Sequence, residues 1–287
     1  MSKKEDMRKS DYLLLLPSVI PILFIFVYPL IRGIILTVQS DETGEFTLQN
    51  YIEFFTNPSY YETIYKTLIL VIPVSLLELF AAFAITYFIR GKMRGKALIS
   101  ALLIFPLLLG ALIVDMGVIT FFRPSGWFNT LLINIGLIEE PIRLVYNYAG
   151  VFISLFILGV AFLASNFIGI MDSVDPNLEK ASKSLGASDW TTFRKVFLPL
   201  VRNNVLTIFG LNMIMQIGVY TSAVIVGNPA NETRTFAVAA FEEASRYFNF
   251  GMANTIAVVM AVTQLLILLL IHLLRKKGYT GAATTFK

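Results

Sequence analysis

Six long apolar runs limit what this chain can fold into more than any other feature of its sequence. The hydrocarbon core of a bilayer is about 30 Å thick, so an α-helix crosses it with roughly 20 mostly apolar residues. A helix also satisfies its own backbone hydrogen bonds, as lipid surroundings require. We therefore predict an all-α membrane protein with a single transmembrane domain over residues 1–287. Its six spans are predicted at about 12–38, 65–88, 97–122, 148–171, 198–227 and 253–274.

The composition agrees with a membrane protein and leaves little material for catalysis. Hydrophobic residues make up 56% of the chain and charged residues 15%, unlike an ordinary soluble domain. There is no cysteine and the one histidine is His272, so thiolate, zinc and Ser-His-Asp chemistry lack their usual groups. We predict no catalytic residue, metal site or cofactor in this chain. The net charge of +4 is spread over short loops, which fits membrane topology better than nucleic-acid binding.

The basic residues are distributed unevenly between the two ends of the spans. Of the 23 Lys and Arg residues, 17 lie before the first span or follow the second, fourth or sixth span. Cytoplasmic loops carry the excess of Lys and Arg, so these segments and both termini are predicted to lie in the cytoplasm. The predicted location is the plasma or inner membrane. No loop has room for a soluble catalytic or nucleotide-binding domain, so any ATP chemistry must come from a partner.

The stretch DPNLEKASKSLGASDWTTFRKVFLPL (175–200) lies between the fourth and fifth spans on the predicted cytoplasmic side. Asp175 followed by Pro176 is a typical helix start, and Gly186 is a typical helix stop. Ser188 can cap a second short helix. Two short helices with small residues at the bend would suit insertion into a groove on a second protein. Composition alone equally allows a solvated loop.

This stretch resembles the EAA loop of permease subunits of binding-protein-dependent ABC importers. In that family a Glu-Ala-Ala triplet is followed at a fixed spacing by Gly and then by Pro. Here Lys180, Ala181 and Ser182 occupy the triplet, and Gly186 and Pro199 occupy the later positions. The resemblance extends across all six spans, including FTLQNYIEFF (46–55) and GNPANETRTFAVAAFEE (227–243).

Within that family the chain looks most like the spermidine/putrescine permease branch. The stretch 121–155 suggests this branch, and Leu185 stands where the sugar branch usually has Asp. The polyamine branch is expected to have an Arg shortly after the proline of the third span, whereas Val114 and Asp115 follow Pro106 here. The expected substrate is a polyamine or similar small solute. Sugar, ferric iron, thiamine and aminoethylphosphonate remain alternatives.

The resemblance implies a type I ABC importer permease fold with a cytoplasmic coupling helix in residues 175–190. It also implies the partners: an ABC ATPase dimer that binds ATP and Mg²⁺, a second and different permease chain, an extracytoplasmic solute-binding protein and the bilayer. Because Lys180 replaces the usual Glu, we predict that the ATPase groove offers an acid to Lys180, or that Glu179 takes over the pairing. The residues implied in ATPase coupling are Leu178, Glu179, Lys180, Ala181, Ser182, Leu185, Gly186, Ala187 and Trp190.

Polar side chains inside the spans are candidates for the substrate path, because they are costly in lipid unless they face the interior. Asn212 and Gln216 are one helical turn apart, and Tyr220 is predicted to continue their face. Asp115 would balance a cationic substrate. The alternative is hydrogen bonding between helices. For Asp115 it is a pair with Arg123 or with a partner subunit, and for Glu78 a structural pair with Arg32. The predicted path comprises Asp115, Asn212, Gln216, Tyr220, Thr221 and Ser222, while Glu78 and Gln264 are further polar residues within spans.

Two other classes of function fit less of the sequence. A membrane-embedded hydrolase would use Glu242, Glu243 and His272, but EEASR (242–246) is shorter than the Glu-Glu-x-x-x-Arg motif of such enzymes and their further histidines are missing. A self-sufficient secondary transporter is the third class. A stoichiometric ATPase partner in the purified complex distinguishes the importer permease from both.

Overall fold

Six helices in the computed structural model are long and apolar enough to cross a membrane, which confirms the predicted fold class. The structure describes residues 17, 20–40, 43–91 and 93–275. Residues 12–16, 18 and 19 of the first predicted span therefore lie outside the described part. The spanning segments are Ile20–Thr37, Pro58–Ile89, Lys96–Asn134, Tyr148–Asp172, Asp189–Ile217 and Phe250–Leu274.

The described helices are numbered here in chain order. A π-helical turn at Leu23–Val27 leads into the first of them, and a second π-helical turn at Phe193–Phe197 lies within the fifth spanning segment. The helices are α1 (Tyr28–Thr37), α2 (Gln49–Thr56), α3 (Pro58–Ile89), α4 (Lys96–Phe122), α5 (Trp127–Asn134), α6 (Tyr148–Asp172), α7 (Pro176–Ser184), α8 (Asp189–Thr192), α9 (Leu198–Ile217), α10 (Thr221–Ile225), α11 (Phe236–Ser245) and α12 (Phe250–Leu274).

The chain divides into two compact units. In the first, the Tyr60 hydroxyl donates to Oε1 of Glu243 at 3.0 Å, and a Cβ at Gly33 would overlap the side chain of Asn254. Gly33 thus allows a close approach between α1 and α12. The first unit is Met1–Tyr61 with Ala240–Val259, and the second is Glu62–Ala239 with Met260–Lys287.

Two of the apolar clusters in the second unit have a polar layer between them. In this unit α4 packs along α6, and α6 packs against α9. On α3, Glu78 lies one turn from Val74 of one cluster and one turn from Ala82 of the other. A carboxylate is therefore enclosed by apolar packing on both sides. The first cluster is Leu70, Val74, Val151 and Leu155, and the second is Ala82, Leu163, Ala164, Phe167, Met171, Phe197, Val201 and Val205.

The third span is interrupted inside α4. Gly110 has φ 76° and ψ 162°, which lies outside the helical region, and it follows Pro106 by about one turn. Glycine adopts a positive φ without the steric penalty that other residues meet. The helix consequently consists of two segments joined at Gly110.

The fifth span is shorter than its apolar run. Helix α9 ends at Ile217, Gly218 follows as its cap, and α10 begins at Thr221 as a separate short helix. The prediction that Tyr220 continues the helical face of Asn212 and Gln216 is therefore wrong. A continuous apolar run does not show where a glycine ends a helix inside it.

Candidate functional site

A cavity of about 360 Å³ lies in the second unit among α4, α6, α9 and α10. Most of its wall is apolar, and α9 with the segment after it supplies a polar strip. Of the residues predicted for the substrate path, all except Asp115 line this cavity. The lining residues are Leu107, Ala111, Leu155, Leu158, Gly159, Phe162, Asn212, Met215, Gln216, Gly218, Val219, Tyr220, Thr221 and Ser222.

Asp115 lies behind this wall. Its side chain is fully buried, and the Ser154 hydroxyl of α6 donates to its Oδ1. Ser222, which lines the cavity, lies against the same carboxyl group. In the described part of the chain its partners are these serines and not Arg123, and Oδ2 has no hydrogen-bond partner there. Asp115 thus contributes a buried carboxyl group one side chain away from the cavity.

Glu78 is a second buried carboxyl group at the cavity wall. The amide nitrogens of Asn212 and Gln216 donate to its Oε2 at 2.7 and 2.6 Å. The Ser75 hydroxyl donates to Oε1 of Gln216 at 3.1 Å. On α6, a Cβ at Gly159 would overlap the carboxyl group of Glu78. Three helices, α3, α6 and α9, therefore meet at Glu78, whose Oε1 has no hydrogen-bond partner among the described residues.

The structure brings Glu78 to the cavity wall, whereas the sequence named it only as a polar residue within a span and did not include it in the predicted substrate path. A single acidic residue within a span indicates a buried role, and Glu78 shows that pattern in the sequence. Its partners lie on a helix far along the chain, and the space for its carboxyl group comes from Gly159, one small residue in an apolar run. No sequence pattern indicates either the contact with these amides or the space at Gly159.

The 175–190 segment consists of the two short helices α7 and α8. The Asp175 side chain accepts a hydrogen bond from the Asn177 backbone N–H at 2.9 Å, and Ser188 accepts one from Thr191 at 3.2 Å. Gly186 ends α7 with φ +84°. These caps are the ones that the sequence predicts. They satisfy donors that the first turn of a helix leaves without intrahelical partners.

The two helices are also tied to each other. The Ser182 and Thr192 hydroxyl oxygens lie 3.1 Å apart, and Lys183 forms an ion pair with Asp189. The hydrogen bond and the charge of Asp189 raise the pKa of Lys183 above its usual value. The bend at Gly186 is therefore held from both sides.

Glu179 faces its own chain. Arg90, which directly follows α3, donates to both carboxylate oxygens of Glu179, with 2.8 Å between Nη2 and Oε2. The guanidinium carbon lies 4.1 Å from the ring centroid of Tyr87 and 4.3 Å from that of Phe197. A two-point pair that is also stacked on aromatic rings is stronger than a simple surface ion pair. It joins α7 to the end of α3, whereas Lys180 is exposed.

Apolar side chains project from the same segment. The exposed fraction is 90% for Leu185, 67% for Trp190 and 45% for Leu178. Trp190 stacks on Phe193 with 5.6 Å between ring centroids, and Phe193 stacks in turn on Phe197. The segment therefore has an exposed apolar tip and an aromatic base that leads into α9.

Replacing Gly186 with Ala is expected to weaken this segment without causing a clash. No atom lies within 4 Å of the added Cβ, so the cost is that of a left-handed backbone, about 1–2 kcal/mol. Thermal unfolding of the purified protein should therefore shift to lower temperature. Gly169→Ala on α6 is the matched control, since its Cβ also meets open space but its φ is ordinary. An equal melting temperature for the two variants would contradict the assignment of strain to Gly186.

The acids of the 242–246 stretch make contacts within the first unit. Glu242 pairs with Arg246 at 3.7 Å, and Glu243 accepts the hydrogen bond from Tyr60. In the residues that the structure describes, no group of three or more His, Asp or Glu side chains is placed to hold a metal ion.

Comparison with known proteins shows where this fold and sequence occur. The profile of a family described as "Binding-protein-dependent transport system inner membrane component" matches residues 7–277. The sulfate transport system permease protein CysT of Synechocystis sp. is 23% identical over 265 residues, 92% of this chain and 90% of that protein. The spermidine/putrescine transport system permease protein PotB of Salmonella typhimurium is 26% identical over 235 residues, 81% of this chain and 82% of that protein.

The fold has a counterpart among solved structures. A chain of the bacterial alginate ABC transporter, crystallised with an alginate pentasaccharide-bound periplasmic protein, matches with a TM-score of 0.80. The match covers 93% of this chain and 96% of that chain at 18% identity. At that identity the likeness concerns the fold alone.

Proposed function

Since this chain belongs to the family of binding-protein-dependent transport system inner membrane components, and is thus a multi-pass permease subunit of an ABC importer, we propose that a partner ATPase drives it through the 175–190 segment. The observation that carries this proposal is the segment's geometry. Leu185 is exposed at its tip, and the Arg90–Glu179 pair anchors its base. A docked partner that moves the tip would thereby move α3 and α9. ATP and Mg²⁺ would be bound by that partner, while this chain contributes no catalytic group.

The proposed assembly follows from the charge distribution and the family. The Lys- and Arg-rich loops support a cytoplasmic position for the 175–190 segment and both termini, and the ATPase dimer would dock there. A second permease, which we propose is a different chain, would complete the translocation path. A solute-binding protein would deliver substrate at the opposite face. The alginate transporter that shares this fold was crystallised with its periplasmic protein, which supports such an arrangement.

For the substrate we propose a polyamine or a similar small cation. Relatives of comparable similarity are named for sulfate and for spermidine/putrescine, so similarity alone does not decide between them. The cavity favours the cation, because the carboxyl groups of Asp115 and Glu78 lie behind its wall and no described lining residue is Lys or Arg. A sulfate ion in such a cavity would lack an opposite charge.

The assembly is tested by co-expressing this chain with its candidate ATPase and second permease and purifying the complex through a tag on this chain. Stoichiometric recovery of the ATPase, with ATP-dependent uptake in proteoliposomes that requires the solute-binding protein, is the expected result. Hydrolysis or ion-driven uptake by this chain alone would contradict the proposal.

Lys180→Glu is expected to weaken the association with the ATPase at least tenfold. Glu179 is held by Arg90, so the exposed charge available to the ATPase groove at this position is that of Lys180. An acid in the groove opposite Lys180 would then face a like charge, which costs several kcal/mol at an interface. The measurement is ATPase recovery and coupled hydrolysis with the native partner. Ser184→Glu, which adds an acid to the same helix, is the control. Unchanged coupled hydrolysis in Lys180→Glu would contradict the proposal that an acid of the ATPase groove pairs with Lys180.

A further inference from the structure

Glu78 and the two amides bound to it lie at the cavity wall. We propose that Glu78 is a specificity determinant: it turns Asn212 and Gln216 so that the cavity accepts hydrogen bonds from a ligand carrying two amine cations and rejects oxyanions. This inference rests on the proposed function, since it concerns the substrate cavity of an importer permease. It assigns a role in specificity to Glu78, although the side chain of this residue does not itself line the cavity.

The first step concerns the direction of the amide groups. A carboxylate oxygen only accepts hydrogen bonds, so the side-chain atoms that face Oε2 of Glu78 must be the NH₂ groups of Asn212 and Gln216. The Ser75 hydroxyl donates to the oxygen of Gln216, which holds that amide in the same orientation. One N–H of each amide is thereby bound inside the protein. The acceptor Oδ1 of Asn212 remains for a ligand.

The second step concerns charge. Behind the wall, Glu78 and Asp115 each keep one carboxyl oxygen without a hydrogen-bond partner among the described residues. Their contacts on α6, Gly159 and Ser154, are about 7.5 Å apart along the helix axis at 1.5 Å per residue. Two carboxyl groups at different heights along α6 complement a small molecule with two ammonium groups. A compact dianion would meet the same sign of charge at both ends.

The third step concerns space. The carboxyl group of Glu78 occupies the volume that a side chain at residue 159 would take, and glycine leaves that volume open. A methyl group at this position would displace the carboxyl group while leaving it in the protein. Gly159→Ala therefore perturbs the amide orientation without a substitution of Glu78 itself.

The test is equilibrium binding of radiolabelled spermidine and sulfate to the assembled permease–ATPase complex without the solute-binding protein. Without the solute-binding protein, the assay measures the preference of the permease cavity itself for spermidine or sulfate. The wild-type complex is expected to bind spermidine at least a hundredfold more tightly than sulfate. Glu78→Met is expected to reduce this ratio at least thirtyfold, because the freed amides can turn their donors toward the cavity. Glu78→Gln retains an acceptor for both amides but not the charge, so its ratio is expected between those of wild type and Glu78→Met.

Gly159→Ala should change the selectivity in the same direction as Glu78→Met, whereas Gly169→Ala on the same helix should leave it at the wild-type value. Damage to the fold would lower the number of sites for both probes without changing the ratio. The inference is overturned by a wild-type complex that prefers sulfate or binds neither probe, by an unchanged ratio in Glu78→Met, or by a Glu78→Gln ratio no better than that of Glu78→Met. None of these results would affect ATPase co-purification, so the failure of this inference remains distinct from that of the proposed function.

Discussion

Glu179→Arg is expected to reduce ATP-driven uptake at least tenfold, and the exchange Arg90→Glu with Glu179→Arg to restore most of it. In the native chain the two side chains pair at two points, with only 23% of Arg90 and 19% of Glu179 exposed. Two guanidinium groups at that position would repel each other and separate α7 from α3. The measurement is uptake per ATP hydrolysed in proteoliposomes, since loss of transmission raises hydrolysis relative to transport.

The control for this exchange is an ion pair that lies entirely within α3. Lys66 and Glu62 pair at 3.0 Å within α3, where the contact holds no other element. Glu62→Gln is therefore expected to leave uptake close to wild type. An unchanged ratio of uptake to hydrolysis in Glu179→Arg, or no recovery in the double exchange, would refute the role of this pair in transmission.

Leu185→Asp is expected to abolish recovery of the ATPase with the purified permease. The Leu185 side chain is 90% exposed, so an acid there costs the folded chain little, whereas a carboxylate placed in an apolar groove of a partner would be desolvated. The melting temperature of the permease should stay within about 2 °C of wild type, as usual for an exposed site far from any special contact. Leu185→Met, which conserves volume and polarity, should retain the ATPase.

A docking role for Leu185 is excluded if the ATPase is recovered with the Leu185→Asp variant in the same stoichiometry as with Leu185→Met. Equal loss in both variants, with a lowered melting temperature, would instead assign Leu185 to the fold of the permease. Measuring recovery and melting temperature on the same preparations separates these cases.

The fold class could be predicted because the bilayer acts on composition directly. Each span must be long and apolar, so the six helices appear as six runs in the sequence. The helix starts at Asp175 and Ser188 could be predicted for a similar reason, since a capping side chain bonds to a backbone group only two or three residues away. Such short-range relations leave patterns that can be read without the fold.

The contacts that build the candidate sites are long-range and leave no pattern. Glu179 and Arg90 are distant in the chain, and nothing around Arg90 distinguishes it from other basic residues after a span. The same holds for Glu78 with Asn212. The end of α9 at Ile217 was missed for a different reason: the apolar run continues through Gly218, so hydrophobicity could not show the break.

The polar layer around Glu78 and the Arg90–Glu179 pair hold α3 at two heights. They are about 18 Å apart along the helix axis, and each connects α3 to α9 or to the segment that leads into it. A helix bound at a single point can rotate about that contact, whereas a helix bound at two points moves together with the elements that bind it. If a partner moves the 175–190 segment, as proposed, α3 and α9 are expected to move together, because sliding between them would break both contacts.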